Sequence, residues 1–252
     1  MNKEYYQKNY PFGFDAANPN GVIDFDGVAA NQLHVYFAAF RATISYGYKD
    51  PRFAYNWSEA KRIGLARFAY HVFYPGSDAI RQCDNFLAAL GDDTGELPLV
   101  LDVELDHGYN KRVITDNLYK AIKYLYQKTG KYPIIYSRTS WIEQHTYLTA
   151  WDDDTNDYVA WRGLVDWWLA HYGLLNSSRW VLPTLPAEVK EDQLLIHQNS
   201  SVGKYDWMQS KSTDDDYWAQ GFDHFFEYTK QTAETPEEPQ PECDELWQKY
   251  LA

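Results

Sequence analysis

The sequence predicts a (β/α)-barrel of the TIM-like kind, an α/β architecture in which helices wrap a ring of strands. Three observations predict it. Short apolar runs alternate with stretches of helical periodicity, the pattern of parallel strands joined by crossover helices. Seven or eight such runs fit into about 220 residues, which suits an eightfold barrel. The runs also end in polar or aromatic residues, at the face where a parallel barrel builds its site. An open doubly wound sheet would call for a Gly-rich phosphate loop, and the sequence has none.

Each element follows in order. "YPFGFDAA" is the first strand and "LHVYFAAFRAT", residues 33 to 43, the second. "WSEAKRIGLA" is a helix, with Ser58 as its cap and Gly64 near its end. "ARFAYHVFYP" is the third strand, stopped by Pro75. "SDAIRQCDNFLAAL" is a helix with Ile80, Cys83, Phe86, Leu87 and Leu90 near helical spacing. "LPLVLDVEL" is the fourth strand. "TDNLYKAIKYLYQKTG" is a helix capped by Thr115 and ended by Gly130, with Leu118, Ile122, Leu125 and Tyr126 as its apolar stripe. "KYPIIYSRTSW", "DWWLAHYG", "DQLLIHQNSS" and "DDDYW" supply the fifth to eighth strands. The last of these have little room for helices between them, so the ring is expected to be irregular there.

Residues 12–228 are therefore read as one barrel, residues 1–11 as an N-terminal extension, and residues 229–252 as an acidic, Pro-rich linker with a short helical tail. A net charge of −13 with no Lys/Arg-rich run argues against a nucleic-acid partner. No stretch approaches a membrane span, so membrane insertion is not expected. Cys83 and Cys243 are too few for a disulfide scaffold and are read as free thiols.

The strand ends carry Asp15, Arg41, His71, the Asp102–Glu104 pair, Tyr136, His171 with Tyr172, and His197 with Gln198. Residues i and i+2 of a strand share a face, about 6.6 Å apart. Asp102 and Glu104 should therefore both point inward, with Val103 turned to the helices. Two close carboxylates resist losing both protons, which leaves a proton donor beside an anion. That is the equipment for cleaving a glycosidic bond. Arg41 is expected to pair with an acid such as Asp15. Asp102, Glu104 and His107 do not share a strand face, so "DVELDH" is not read as a metal site.

The chain resembles the glycoside hydrolase family 25 lysozymes, the muramidases of bacteria, fungi and phages. "GFDAANPNGVIDFDGV", "GLARFAYHVFYP", "LPLVLDVE", "GKYPIIYSRTSW" and "WWLAHYG" carry the resemblance, in order, over about residues 12 to 226. It implies hydrolysis of the β-1,4 bond between N-acetylmuramic acid and N-acetylglucosamine in peptidoglycan. By match, Glu104 is the general acid/base and Asp102 orients the substrate's own N-acetyl group as nucleophile. Asp15 matches the family's first-strand acid. Tyr70, His71, Tyr136, Trp168, Tyr172 and Gln198 match or neighbour positions that meet substrate. No metal or organic cofactor is implied.

Two departures stand out. His197 replaces a Trp, and "DDDYW" replaces an Asp-x-Asn-x-aromatic motif, so the fourth acid is Asp214, with Asp216 and Asp206 as rivals. These departures leave open a barrel that binds wall glycans without cutting them, or a hydrolase of another N-acetylhexosamine polymer such as chitin. The acidic stretch "WDDDTNDYVAW", residues 151 to 161, is read as a solvated insertion or as a rim to the groove. "MNKEYYQKNYPFGF" lacks the apolar core of a signal peptide, which fits a phage endolysin released through a holin or a secreted enzyme with its signal trimmed. The tail is read as a free end or as a stub leading to a wall-binding domain.

Overall fold

In the computed structural model, which describes residues 3–172, 181–210 and 212–230, eight strands close into a ring. They are β1 (Phe12–Ala16), β2 (Val35–Ile44), β4 (Ala66–Val72), β5 (Val100–Asp102), β6 (Ile134–Ser137), β9 (Asp166–Ala170), β10 (Leu194–Gly203) and β11 (Thr213–Trp218), in that order around the barrel, with β11 pairing back onto β1. Strand β3 (Tyr48–Lys49) extends β2 at its edge. All neighbours in the ring are parallel except β11, which runs antiparallel to both β10 and β1. The irregularity expected in the last strands is thus a reversal of direction, accompanied by register shifts along β10.

The strands obey the period of two that a two-sided burial requires. On β2, Phe37 and Ala39 face the barrel interior while Ala38, Phe40 and Ala42 face the helical layer. On β9, Trp168 faces in and Trp167 and Leu169 face out. Helices α2 (Phe25–Ala29), α3 (Phe53–Arg62), α4 (Ala79–Leu90), α5 (Lys111–Thr129) and α6 (Thr139–His145) make the crossovers. Because β11 descends, the helix after it, α7 (Gly221–Thr229), lies at the opposite end from the strand C-termini. There Phe225 packs against Phe37 and Trp218 and plugs the bottom of the barrel. The residues before β1 form α1 (Lys3–Asn9), whose Tyr6 is fully buried against Tyr217 and His197 on the outer face of β10 and β11.

Several local expectations need correction. α3 begins at Phe53, so Ser58 lies inside it and donates to the Tyr55 carbonyl instead of capping. α5 begins four residues before Thr115. Asn110 is its cap and accepts from the amides of Arg112 and Val113, while the Thr115 hydroxyl donates back to the Lys111 carbonyl. Tyr126 is exposed and stacks on Tyr132; Ile114, Tyr119 and Ala121 join the buried stripe in its place. Ile80 is likewise exposed on α4, where Ala79 and Gln82 complete the buried face. "KYPIIYSRTSW" divides into β6 and the start of α6. The acidic stretch forms a hairpin of β7 (Thr149–Asp152) and β8 (Asp157–Ala160) that leans on α5, where Asp152 accepts from Tyr119 and Lys123. Cys83 is a buried free thiol. Cys243 and the proposed linker and tail from residue 231 onward lie outside the described residues.

Gly13 marks a tight point of the closure. A Cβ there would stand 2.3 Å from the Phe37 ring across the β1–β2 pairing. Gly13→Ala is expected to destabilise the fold by about 1–3 kcal/mol in urea unfolding. Adding Phe37→Leu should cost less than the sum of the two single changes, because the smaller side chain relieves the overlap.

Candidate active site

The site is built where the parallel strands end. β1 finishes near Asp15, β5 ends at Asp102, and Gln198 stands on β10. β11 runs the other way, so its first residues reach this face, and the ladder sets Asp214 directly opposite Asp15. Eight side chains enclose a cavity of about 100 Å³: Asp15, Tyr70, Asp102, Glu104, Tyr136, Trp168, Gln198 and Asp214. Trp168 is buried beneath it, edge-on to Tyr136. Glu104 lies beyond the last paired residue of β5, yet the alternation persists. Val103 is buried in the outer layer, its amide donating to the Tyr136 carbonyl, and Asp102 and Glu104 both face the cavity.

Hydrogen bonds fix the remaining groups. The Gln198 amide donates to Asp15 at 2.7 Å. Its carbonyl oxygen accepts from Tyr136 at 2.8 Å and from Tyr172 at 2.6 Å, so one amide ties three strand ends together. Tyr172 stands at the rim, partly exposed. Under the cavity, the Trp168 indole donates to Asp216 at 2.8 Å.

This many acids in little water cannot all be charged. Burial and the neighbouring Glu104 charge push Asp102 up to about 8, with Arg41 opposing them. Burial also raises Glu104, opposed by Arg138, whose Nε lies 3.5 Å from its carboxylate. Asp15 and Asp216 are both held well above the carboxylate range, first by burial and then by each other's neighbourhood of charge: Asp214 for Asp15, and Asp15 for Asp216. Burial, then Asp215 and Glu104, raises Asp214 to about 6. The open site therefore holds protons at neutral pH, with Asp102 a principal holder, beside carboxylates nearer the mouth.

Most of the residues singled out in the sequence converge here. His71 does not. It points away from the cavity because it alternates with Tyr70 on β4; its ring is fully buried, paired with Thr43 at 2.7 Å and stacked on Phe86. Burial lowers its pKa to about 4, so it is a neutral core histidine. Arg41 pairs with Asp50, not Asp15. Of the rivals for the fourth acid, Asp206 is exposed and stands apart from the cavity, Asp216 is buried beneath it, and Asp214 lines it. His197 faces outward to Tyr6 and the His171 carbonyl, so the departure from Trp does not touch the cavity. Arg138 was missed by the sequence reading. Its signal was its place two residues after Tyr136, as Glu104 is two after Asp102.

The family model for glycosyl hydrolases family 25 matches residues 14–207. The uncharacterized protein YegX of Escherichia coli (strain CFT073) is 33% identical over 163 residues, which cover 64% of this chain and 56% of that one. Lysozyme M1 of Streptomyces globisporus is 27% identical over 188 residues, 69% of this chain and 57% of that one. The chain thus spans little more than half the length of these curated relatives. The solved structure of a family 25 glycosyl hydrolase from Bacillus anthracis superposes with a TM-score of 0.69 at 23% identity, covering 88% of this chain and 94% of that one. That likeness establishes a shared barrel fold.

The raised Asp102 pKa has a consequence for stability. The folded state keeps this proton up to about pH 8, whereas the unfolded chain releases it near the ordinary value of 3.8. Between those values the folded state binds more protons, so this group's contribution to stability falls as pH rises. Asp102→Asn removes that dependence. Its unfolding free energy relative to the parent should climb from pH 4 to pH 8 and then level off, as measured by urea titrations across that range.

Proposed function

The chain belongs to glycosyl hydrolase family 25, and from that premise we propose that it is an N-acetylmuramidase, a lysozyme that hydrolyses the β-1,4 bond between N-acetylmuramic acid and N-acetylglucosamine in bacterial peptidoglycan. The observation that carries this reading is the pair Asp102 and Glu104, both facing one cavity floored by Trp168 and flanked by Asp15 and Asp214. A binding barrel that did not cut would have no use for acids buried at such electrostatic cost.

In this mechanism Glu104 is the general acid. It is the less buried member of the pair and sits at the mouth, where a glycosidic oxygen can reach it. A sugar seated over the cavity displaces water, which strengthens the desolvation already raising Glu104 and favours its protonated form. Glu104 gives its proton to the leaving oxygen as the bond from that oxygen to C1 breaks. The substrate's N-acetyl carbonyl oxygen closes onto C1, giving an oxazolinium ion. Asp102, having passed its proton to Glu104 as the sugar binds, is then a carboxylate that accepts the amide N–H, orients it for that attack and balances the developing positive charge, the substrate-assisted variant of the two-carboxylate scheme. Glu104, now ionised, takes a proton from water as the water attacks C1 and the bond from C1 to the N-acetyl oxygen breaks, which opens the oxazolinium ring and restores the N-acetyl group. Gln198 holds Asp15 in place behind the pair. Tyr70 and Tyr136 wall the sugar, Trp168 supports it from below, and Tyr172 meets it at the rim. Asp214 completes the acid ring. The reaction uses the chain's own side chains and water.

The wall is reached from outside the cytoplasm, either as an endolysin passing a holin pore or as a secreted enzyme. The assignment is tested by muropeptide release from purified peptidoglycan. Glu104→Gln should lose at least about 10²-fold in rate, the typical share of a positioned acid, while circular dichroism stays unchanged. Mass spectrometry should find reducing N-acetylmuramic acid ends. Equal rates for the two proteins, or reducing N-acetylglucosamine ends, would sink the proposal.

A further inference from the structure

Arg138 follows β6 and opens α6 as its N-cap residue, with extended backbone. Asp102 lies opposite Tyr136 in the β5–β6 ladder. Two residues further along each chain, the same register brings Glu104 beside Arg138, Nε to Oε1 at 3.5 Å. The guanidinium also stands over the Tyr172 ring, 5.8 Å from its centre. The side chain keeps 56% of its surface exposed. Its approach to Glu104, through Nε at 3.5 Å, is longer than a committed two-point guanidinium–carboxylate bond, which forms at about 2.7–2.9 Å. Among the described residues its terminal nitrogens have no hydrogen-bond partner.

Charge makes this placement informative. Four carboxyl groups line the cavity, and the whole chain carries −13. A glycan bearing its own carboxylate would be repelled from such a site unless a cation met it at the mouth. Among the described residues, Arg138 is the cation ion-paired with an acid of the cavity wall. Arg41, the cation that Asp102 feels, is committed to Asp50 at 2.8 Å. A guanidinium steadied on an aromatic ring, with its fork presented outward, is suited to a carboxylate ligand.

We propose that Arg138 is a specificity residue that receives a carboxylate carried by the substrate, and so selects acidic glycans over neutral N-acetylhexosamine polymers. The proposal rests on the muramidase reading above, and the carboxylate it concerns is the free lactyl group of peptide-free strands, which chitin lacks. The carboxylate engages the terminal nitrogens while Nε stays near Glu104, which aligns the charged sugar with the proton donor.

The test uses peptide-free glycan strands whose lactyl ethers carry free carboxylates, and the same strands with those carboxylates capped as neutral methylamides. Wild type, Arg138→Gln and Arg138→Lys are compared on both. Wild type should favour the acidic strands by about tenfold in kcat/KM, the range of one charge-assisted hydrogen bond. Arg138→Gln should bring the ratio near one, chiefly through KM on the acidic strands, and Arg138→Lys should restore part of it. An unchanged ratio in Arg138→Gln, even with both rates lowered, would overturn the proposal and leave Arg138 as a positioning group for Glu104. Equal wild-type rates on the two strands would also overturn it. If wild type cuts neither strand, the muramidase reading fails and this proposal fails with it.

Discussion

Carboxyl groups that face one another across about 100 Å³ cannot all ionise, and the upper half of this barrel is organised around that constraint. The protein meets it with few, well-placed donors. Gln198 gives its amide to Asp15, and Trp168 gives its indole N–H to Asp216. Arg41 opposes the rise of Asp102, and Arg138 that of Glu104. What these do not neutralise is settled by retained protons, which is why Asp102 and Asp214 titrate well above a free carboxylate. A site that must hold a proton beside an anion obtains both from the same crowding.

The reversal of β11 is the architectural half of the same solution. An eighth parallel strand would have brought its last residues to the site; the antiparallel strand brings its first. Asp214 meets Asp15, and Asp216 tucks beneath through its partner Gln198. The reversal also removes the crossover helix that would have covered β10 and β11. The N-terminal helix supplies that cover with Tyr6, whose hydroxyl meets the His197 ring. His197 thus belongs to the outer packing, and its departure from the family's Trp is answered by a local partner. At the bottom end, α7 closes what the descending strand leaves open.

The acidic insertion is absorbed in the same local way. Its hairpin packs on α5, and Asp152 is committed to Lys123 and Tyr119 rather than to the cavity. The buried acid of this hairpin is therefore structural, unlike the carboxyl groups that line the cavity.

The amino-acid sequence by itself determined the alternation of strands and helices, the barrel class, and the inward face of Asp102 and Glu104, because periods of two and 3.6 are written directly in side-chain polarity. Its strand ends also singled out Asp15, Tyr136 and Gln198, since strand ends in a parallel ring must converge, and the family resemblance added Tyr70, Trp168 and Asp214. Tertiary structure alone decided what depends on neighbours distant in the chain. It turned His71 outward by the alternation with Tyr70, gave Arg41 to Asp50, chose Asp214 over Asp206 through the direction of β11, and set Arg138 beside Glu104. Pairing partners and strand direction are settled by packing between segments far apart, and no local pattern of polarity encodes them.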